Sequence, residues 1–373
     1  MDGASWELSV EEDYAYLLTL LPPGWREQAR ELGALRRCRK VDAERLLRVL
    51  LIHLAEGCSL RETALRAQRG GIAQLSDVAI MDRLRGSARW LGWMNQQLVT
   101  RWVRRGPQAV FPARWNVRLI DGTRVREPGP TGSSWLIHYS IRLPSLACDE
   151  LLVSEPQGDP GESFRRFAVQ PGDLLIGDRV YGVRPSLLHV VNGGGDVLTR
   201  FALSNLPLER NDGGRFDLLG RLRRLKPRQI ADWPVRTRDD GTGSVAGRVV
   251  AVAKTRQAAE QAQQQVRRQA QKHGGGAIGP QTLEAAKYVF VFTTVRAQDL
   301  SATQALEMYR GRWQIELVFK RLKSIMGLGH LRKSDPESAK AWLQGKLLAA
   351  LLIEALTCCG ESFFPWGWPL DES

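Results

Sequence analysis

The stretch YRGRWQIELVFKRLK, which begins at Tyr309, limits the folds open to this chain more than any other. A helix turns about 100° per residue, so with Tyr309 at zero, Arg312, Lys323 and Glu316 fall at roughly 300°, 320° and 340°. The four share one arc about 60° wide on that wheel. Met308, Ile315, Val318, Phe319 and Leu322 fill the neighbouring arc and face a core. The helix thus carries a narrow polar stripe at the edge of a buried face. Arg312 and Glu316 are i,i+4 neighbours that attract, and a salt-bridged helix is the plainest account of them. Whether Glu316 does more depends on what the rest of the chain brings to it.

Composition narrows the classes. A chain of 373 residues has room for about two or three domains. No apolar run is long enough to cross a membrane. The opening MDGASWELSVEEDYAYL is acidic and lacks a basic region, so a secretory leader is not expected and an intracellular place is. Cys38, Cys58, Cys148, Cys358 and Cys359 form no CxxC pair and no zinc spacing, so reduced thiols are expected. His53, His138, His189, His273 and His330 show no metal spacing either. The glycine-rich VNGGGD is followed by no Lys-Ser/Thr pair, which excludes a phosphate loop. The net charge of +13 suits a polyanionic partner, or simply a basic surface. Between Arg26 and Arg105 there are 17 lysines and arginines against 8 acids. Arginine predominates there, as phosphate contact favours.

The texture changes along the chain. VDAERLLRVLLIHLAEGCSL has helical apolar spacing and stops near Gly57. SLRETALRAQRG opens with Ser59 and Glu62 at capping-box spacing and ends at Gly70. Ser76 caps a further helix that breaks near Gly86. Residues 1–108 therefore read as an all-α N-terminal domain, a bundle or a helix-turn-helix. Strand patterns follow in NVRLIDGT, WLIHYSIRL, ELLVSEP and GDLLIGDRVYG, then a helix in VRPSLLHVV and a strand in DVLTRFAL. Residues 204–286 form a mainly β stretch with one polar helix, TRQAAEQAQQQVRRQAQK, that has almost no apolar face. KYVFVFTTV is a buried strand, and SATQALEMYRGRWQIELVFKRLK reads as one long helix. The fold class expected is α/β, a core over 109–203 and 287–350 interrupted by a β-rich insertion domain at 204–286. A tail follows at 351–373, where FFPWGWPL is a contact patch or a packed end.

Two of the apolar runs are read as stopping at an aspartate beside a glycine, Asp121 in LIDG and Asp178 in LIGD. Each alone is an ordinary turn signal. With Glu316 they form a set of three acids, the hard oxygen donors that Mg²⁺ requires in phosphodiester chemistry. Two ions bracketing the attacking and leaving oxygens need about three converging carboxylates.

YRGRWQIELVFKRLK resembles the Tyr-x2-Arg-x3-Glu-x6-Lys signature of IS4-family DDE transposases, with Tyr309, Arg312, Glu316 and Lys323 in the fixed places. VRLIDGTRV looks like the family's first-aspartate strand and LLIGDRVYG like its second. Val180 stands where the family has glycine in Asp-Arg-Gly-Tyr, which bears on the local turn. The resemblance covers nearly the whole chain. It implies an RNase H-like catalytic core with the triad Asp121, Asp178 and Glu316 holding two Mg²⁺ ions, for which Mn²⁺ can substitute. It implies an insertion-sequence transposase that cuts double-stranded DNA at the element's terminal inverted repeats, through a DNA hairpin. The freed 3′-OH then joins target DNA. It also implies a homodimer in the synaptic complex, no membrane, and a place in the prokaryotic cytoplasm on the nucleoid. Tyr309, Arg312, Lys323 and Arg179 would contact DNA, or the first two would only position Glu316. Trp313, at roughly 40° on the wheel, stacks on an extruded base or packs against the insertion. A nuclease that only hydrolyses, and a DNA-binding descendant without catalysis, remain alternatives.

Overall fold

The computed structural model describes residues 14–35, 41–105, 114–129, 133–143, 145, 147–156, 161–272, 278–324, 326–329, 331–333 and 335–363. The aromatic run 363–370 lies outside them except for its first residue, as do His273 and His330.

The N-terminal helices begin where side chains can satisfy their free N–H groups. They are α1 (14–20), α2 (Trp25–Glu31), α3 (Ala43–Leu54), α4 (Leu60–Arg69), α5 (Asp77–Gly86) and α6 (Ala88–Arg105). Asp42 caps α3 through the Arg45 N–H, Ser59 caps α4 through Glu62, and Ser76 caps α5 through Ala79. The α4 and α5 caps and the break at Gly86 lie where the sequence pattern puts them.

A nine-stranded sheet forms the middle of the molecule. Its strands are β1 (Asn116–Arg126), β2 (Ser134–Arg142), β3 (Cys148–Ser154), β4 (Asp173–Gly177), β5 (Asp196–Thr199), β6 (Leu208–Glu209), β7 (Ile230–Thr237), β8 (Ala246–Ala253) and β9 (Tyr288–Thr293). The order across the sheet is β3-β2-β1-β4-β5-β9-β8-β7-β6. β1, β4 and β5 run parallel, and the remaining pairs are antiparallel. α7 (Arg184–Asn192) makes the crossover between β4 and β5. The fold is mixed α/β. The strands of 204–286 extend this same sheet through the β8–β9 pairing rather than building a second one. α8 (Leu218–Leu222), α9 (Arg256–Lys272) and α10 (Pro280–Ala285) accompany them, and α9 buries no residue, as its polar sequence requires.

The central strands are covered on both faces, so their side chains alternate between two cores. Leu119, Leu174 and Ile176 join the core under the N-terminal and C-terminal helices. Ile120 and Leu175 join the core under α7 and the β6–β8 side. The first face is roofed by α11 (Ala302–Arg310), α12 (Trp313–Ser324) and α13 (Pro336–Phe363).

Two local expectations are corrected. β1 does not end at Asp121 but runs on to Arg126 because β2 pairs with it over its whole second half. The helix read as continuous from Ser301 is broken at Gly311 and Arg312. There the Arg312 N–H bonds Tyr309 O at 3.1 Å and the Ile315 N–H bonds Arg312 O at 3.2 Å. Such i→i+3 bonds tighten the turn to about three residues. The 100° wheel therefore does not carry across from Tyr309 to Glu316.

Candidate nucleic-acid cleavage site

β1 and β4 align their acids by register. Leu119 pairs with Ile176 on these parallel strands, and Asp121 and Asp178 each lie two residues further on. Two residues is one pleat repeat, so both carboxyls leave the sheet on the face of Leu119 and Ile176. That is the face roofed by α12. Ile315, Phe319 and Leu322 bury one side of α12, and the Phe319 ring meets Tyr139 edge-on at 6.0 Å. Tyr139 is the β2 partner of Asp121. The apolar side of α12 is thus fixed beside Asp121, and Glu316 in its first turn stands at the edge.

Arg312 joins the two. Its Nη1 is 3.4 Å from Asp121 Oδ2, and its Nη2 donates to Glu316 Oε1. The guanidinium is mostly buried, while Glu316 remains half-open to solvent. Tyr309 is buried, with its ring 6.0 Å from the Arg312 guanidinium carbon. Burial raises the Tyr309 hydroxyl above its usual pKa, against the pull of Arg312 and Arg200. Trp313 opens α12 and leaves 51% of its surface exposed. Lys323 lies in the last turn of α12, two turns beyond Glu316, and makes no hydrogen bond or ion pair among the described residues. Arg179 is exposed in the turn after Asp178.

Burial dominates the electrostatics. It pushes the Asp121 carboxyl up to about 7 from 3.8, and the charges of Asp178 and Glu162 push the same way. The Gly122 N–H at 2.9 Å and Arg312 pull it down. Asp178 accepts from the Val180 N–H at 2.8 Å, and its carbonyl accepts from Thr199 Oγ1 at 2.8 Å. The only non-glycine residue with positive φ among the described residues is Arg228, so this turn admits valine at 180 without strain.

A family model described as "Transposase DDE domain" matches residues 162–352. The putative transposase InsL of insertion element IS186A from Escherichia coli (strain K12) is 34% identical over 341 residues, covering 87% of this chain and 88% of its own length. The transposase of IS421 from Escherichia coli is 34% identical over 342 residues, with the same coverage. A shorter match, 42% over 52 residues, joins it to the transposase of IS231F from Bacillus thuringiensis subsp. israelensis, covering 14% of this chain and 11% of that one. This chain belongs to the IS4 family of DDE transposases.

Two residues beside these acids escape the sequence reading. Glu162 packs against Gly122, where an added Cβ would lie 2.7 Å from its Cδ. Any side chain at 122 would displace that acid, so the glycine of LIDG serves packing in mid-strand rather than a turn. Arg200 directly follows β5, and Thr199 pairs with Gly177, so Arg200 sits beside Asp178. Burial lowers its pKa, as do Arg179 and Arg312 close by. Tyr181 is fully buried in the same place, its hydroxyl without a hydrogen-bond partner among the described residues. Its strand-end position was the available signal for Arg200. Glu162 gave none, because loop proximity follows from tertiary packing.

The acids suit a hard divalent cation by donor type. As arranged, no group of three or more His, Cys, Asp and Glu side chains among the described residues is set to hold a metal. The Arg312 guanidinium lies between Asp121 and Glu316, as a cation stand-in. Carboxylates that draw a cation between them, one of them held near neutrality by burial and like charge, fit a metal-binding role.

Proposed function

We propose that this transposase cleaves double-stranded DNA at the terminal inverted repeats of an insertion sequence and transfers the 3′-OH into target DNA. The observation that carries the reading is the Arg312 bridge from Asp121 to Glu316, beside the end of β4. In this reading Asp121, Asp178 and Glu316 hold two Mg²⁺ ions, with Mn²⁺ able to substitute. Bound there, such ions lower the pKa of an attacking water and stabilise a leaving 3′-oxygen.

The chain's own residues do the rest. Asp121 and Asp178 stand on rigid, doubly covered strands and fix the scissile phosphate against the sheet. Arg312 orients Glu316 and offers its planar fork to a neighbouring phosphate. Tyr309 backs Arg312 from the buried side. Lys323 and Arg179 add phosphate contacts on either flank. Trp313 offers an exposed ring on which an extruded base stacks, as a hairpin pathway requires. The strands β1 to β5, with α11 and α12, act as an RNase H-like core. The 204–286 stretch acts as an insertion on that core, and the helices up to residue 108 read DNA. The active assembly is a dimer that synapses two element ends. Its place is the prokaryotic cytoplasm, at the nucleoid, where its DNA is; no helix among the described residues is long and apolar enough to cross a membrane.

The test is cleavage of a labelled duplex carrying the element's own end, with Mg²⁺ and with EDTA, by wild type and Glu316→Gln. Metal-dependent nicking that falls at least about 100-fold in Glu316→Gln, with DNA binding kept, is expected. Equal cleavage by the variant would refute the three-acid assignment.

A further inference from the structure

A cavity of about 600 Å³ opens where the α3–α4 turn meets the chain between α12 and α13. It lies away from the acids, at the far end of α12. Glu316 and Ser324 are eight residues apart on that helix, about 12 Å along its axis.

Its charge is one-sided. Lys333 and Lys346 line it, and they retain only 8% and 5% of their surface. Among the described residues neither forms a hydrogen bond or an ion pair. The Lys346 ammonium has only the Trp342 ring, 5.4 Å from its centroid. The stems of both lysines are buried while their ammonium groups reach the cavity, where an anion would supply the missing counter-charge. His53, 6% exposed, lines the same wall. Its Nδ1 is engaged by Cys58 O at 2.7 Å, and its Nε2 has no partner among the described residues. Arg332, which reaches Gly57 O at 3.4 Å, adds a fourth basic group at the rim. The N-terminus of α4, a ten-residue helix, opens onto the cavity through Ser59 and Arg61. The two acids on the lining are already used: Glu56 by Arg66, and Asp77 by Arg61 at 3.5 Å.

We infer that this cavity is a phosphate-binding site, separate from the three acids, that receives a backbone phosphate of the DNA. Lys333 and Lys346 supply the charge, and the α4 N-terminus and Arg332 supply further donors. Burial lowers the pKa of both lysines, and the charge of Arg332 lowers it further, as expected of cations awaiting an anion. Burial, then Lys333, holds His53 down to about 4. With its Nδ1–H on Cys58 O, the neutral ring keeps only an acceptor at Nε2, so the lysines and Arg332 rather than His53 bind the phosphate. The DNA source rests on the transposase reading; the phosphate chemistry does not.

Lys333→Gln, Lys346→Gln and the surface variant Arg332→Gln are compared with wild type in two arms. In the first, affinity for a labelled duplex is followed from roughly 50 to 200 mM salt. Each lysine variant is expected to weaken binding whatever the sequence and to shrink the log–log salt slope by about one. In the second, melting is followed with inorganic phosphate against chloride of equal ionic strength. Without ligand, each lysine variant is expected to melt at or above wild type, because crowding of cations in the cavity is relieved; a lysine with a purely structural role would melt lower. A lysine-dependent response to the duplex assigns the phosphate to DNA. A lysine-dependent response to inorganic phosphate alone keeps the site but assigns it a free phosphate. A wild type that binds no duplex overturns the transposase reading, and the phosphate arm then decides the cavity. Should either lysine variant fail to fold, Arg332→Gln decides in its place, a smaller duplex slope or a lost phosphate response supporting the site. Unchanged slopes together with unchanged phosphate responses overturn the site.

Discussion

β1 and β4 carry charge at two levels of their shared ladder, one near its start and one where β4 ends, and the two are built on different principles. At the start of the strands Arg118, 4% exposed, meets three acids: Glu150 at 2.7 Å, Asp149 at 2.8 Å and Asp173 at 3.1 Å. It also donates to Ala168 O at 2.6 Å. At the second, Arg312 is divided between Asp121 and Glu316, while the charges of Asp178 and Glu162 act on Asp121. Arg118 points to the face of Ile120, and Asp121 to the face of Leu119. At the first level the guanidinium reaches all three acids, although Asp149 Oδ1 keeps no partner among the described residues and burial still holds Glu150 above the usual carboxylate range. At the second, burial and the charges of Asp178 and Glu162 push Asp121 toward neutrality. Cores keep buried charge only when it is paired. Asp121, whose charge burial disfavours, is therefore the acid that a bound cation would relieve, and the Arg118 cluster ties the sheet together.

Arg118 offers the most severe trial of this contrast. Arg118→Met leaves three acids facing a buried thioether, and a loss of about 3–5 kcal/mol is expected in denaturant unfolding. A loss under about 1 kcal/mol would mean that the Arg118 level is not the structural one.

Asp121→Asn probes the other level, with the opposite sign. A carboxyl whose folded pKa rises from 3.8 to about 7 favours folding only while protonated. That stability is complete below the unfolded value and is lost as the pH climbs from about 4 to about 7. Measured in EDTA, the asparagine variant should match wild type near pH 4 and exceed it near pH 8, by on the order of 2 kcal/mol. DNA cleavage should disappear in the same variant. A variant less stable than wild type at pH 8 would show that Asp121 is as well compensated as the acids around Arg118.

Arg312→Lys keeps the charge and loses the fork that spans Asp121 and Glu316. Stability should change by about 1 kcal/mol or less, while cleavage falls about 10- to 100-fold. Equal activity would reduce the bridge to a surface ion pair. Trp313→Ala should move stability least, by about 0.5 kcal/mol, since half of the ring is already in water. Its effect belongs to DNA, where loss of one stacked base weakens binding by about 1–3 kcal/mol. A large stability loss instead would place Trp313 among the packing residues.

Features that depend on neighbours in the chain were legible in the sequence alone. Ser59 and Ser76 cap helices because a hydroxyl three residues before a free N–H satisfies it anywhere. The unbroken apolar run of β4 marks a strand covered on both faces, and the polar α9 marks a helix that buries nothing. The four-residue signature around Glu316 was legible because its spacing is local. Tertiary structure alone decided the rest. Gly311 interrupts the helix although one glycine costs only about 1 kcal/mol, too little to predict a break. Packing of Phe319 against Tyr139 fixes where α12 sits, and so where Arg312 can reach. The β8–β9 pairing joins the 204–286 strands to the central sheet across a long loop in sequence, which no local pattern encodes. Glu162, Arg200 and the paired burial of Lys333 and Lys346 likewise became visible only once distant segments met. Side-chain chemistry is written in the chain, but the balance of charge at a site depends on which distant residues share its low-dielectric space.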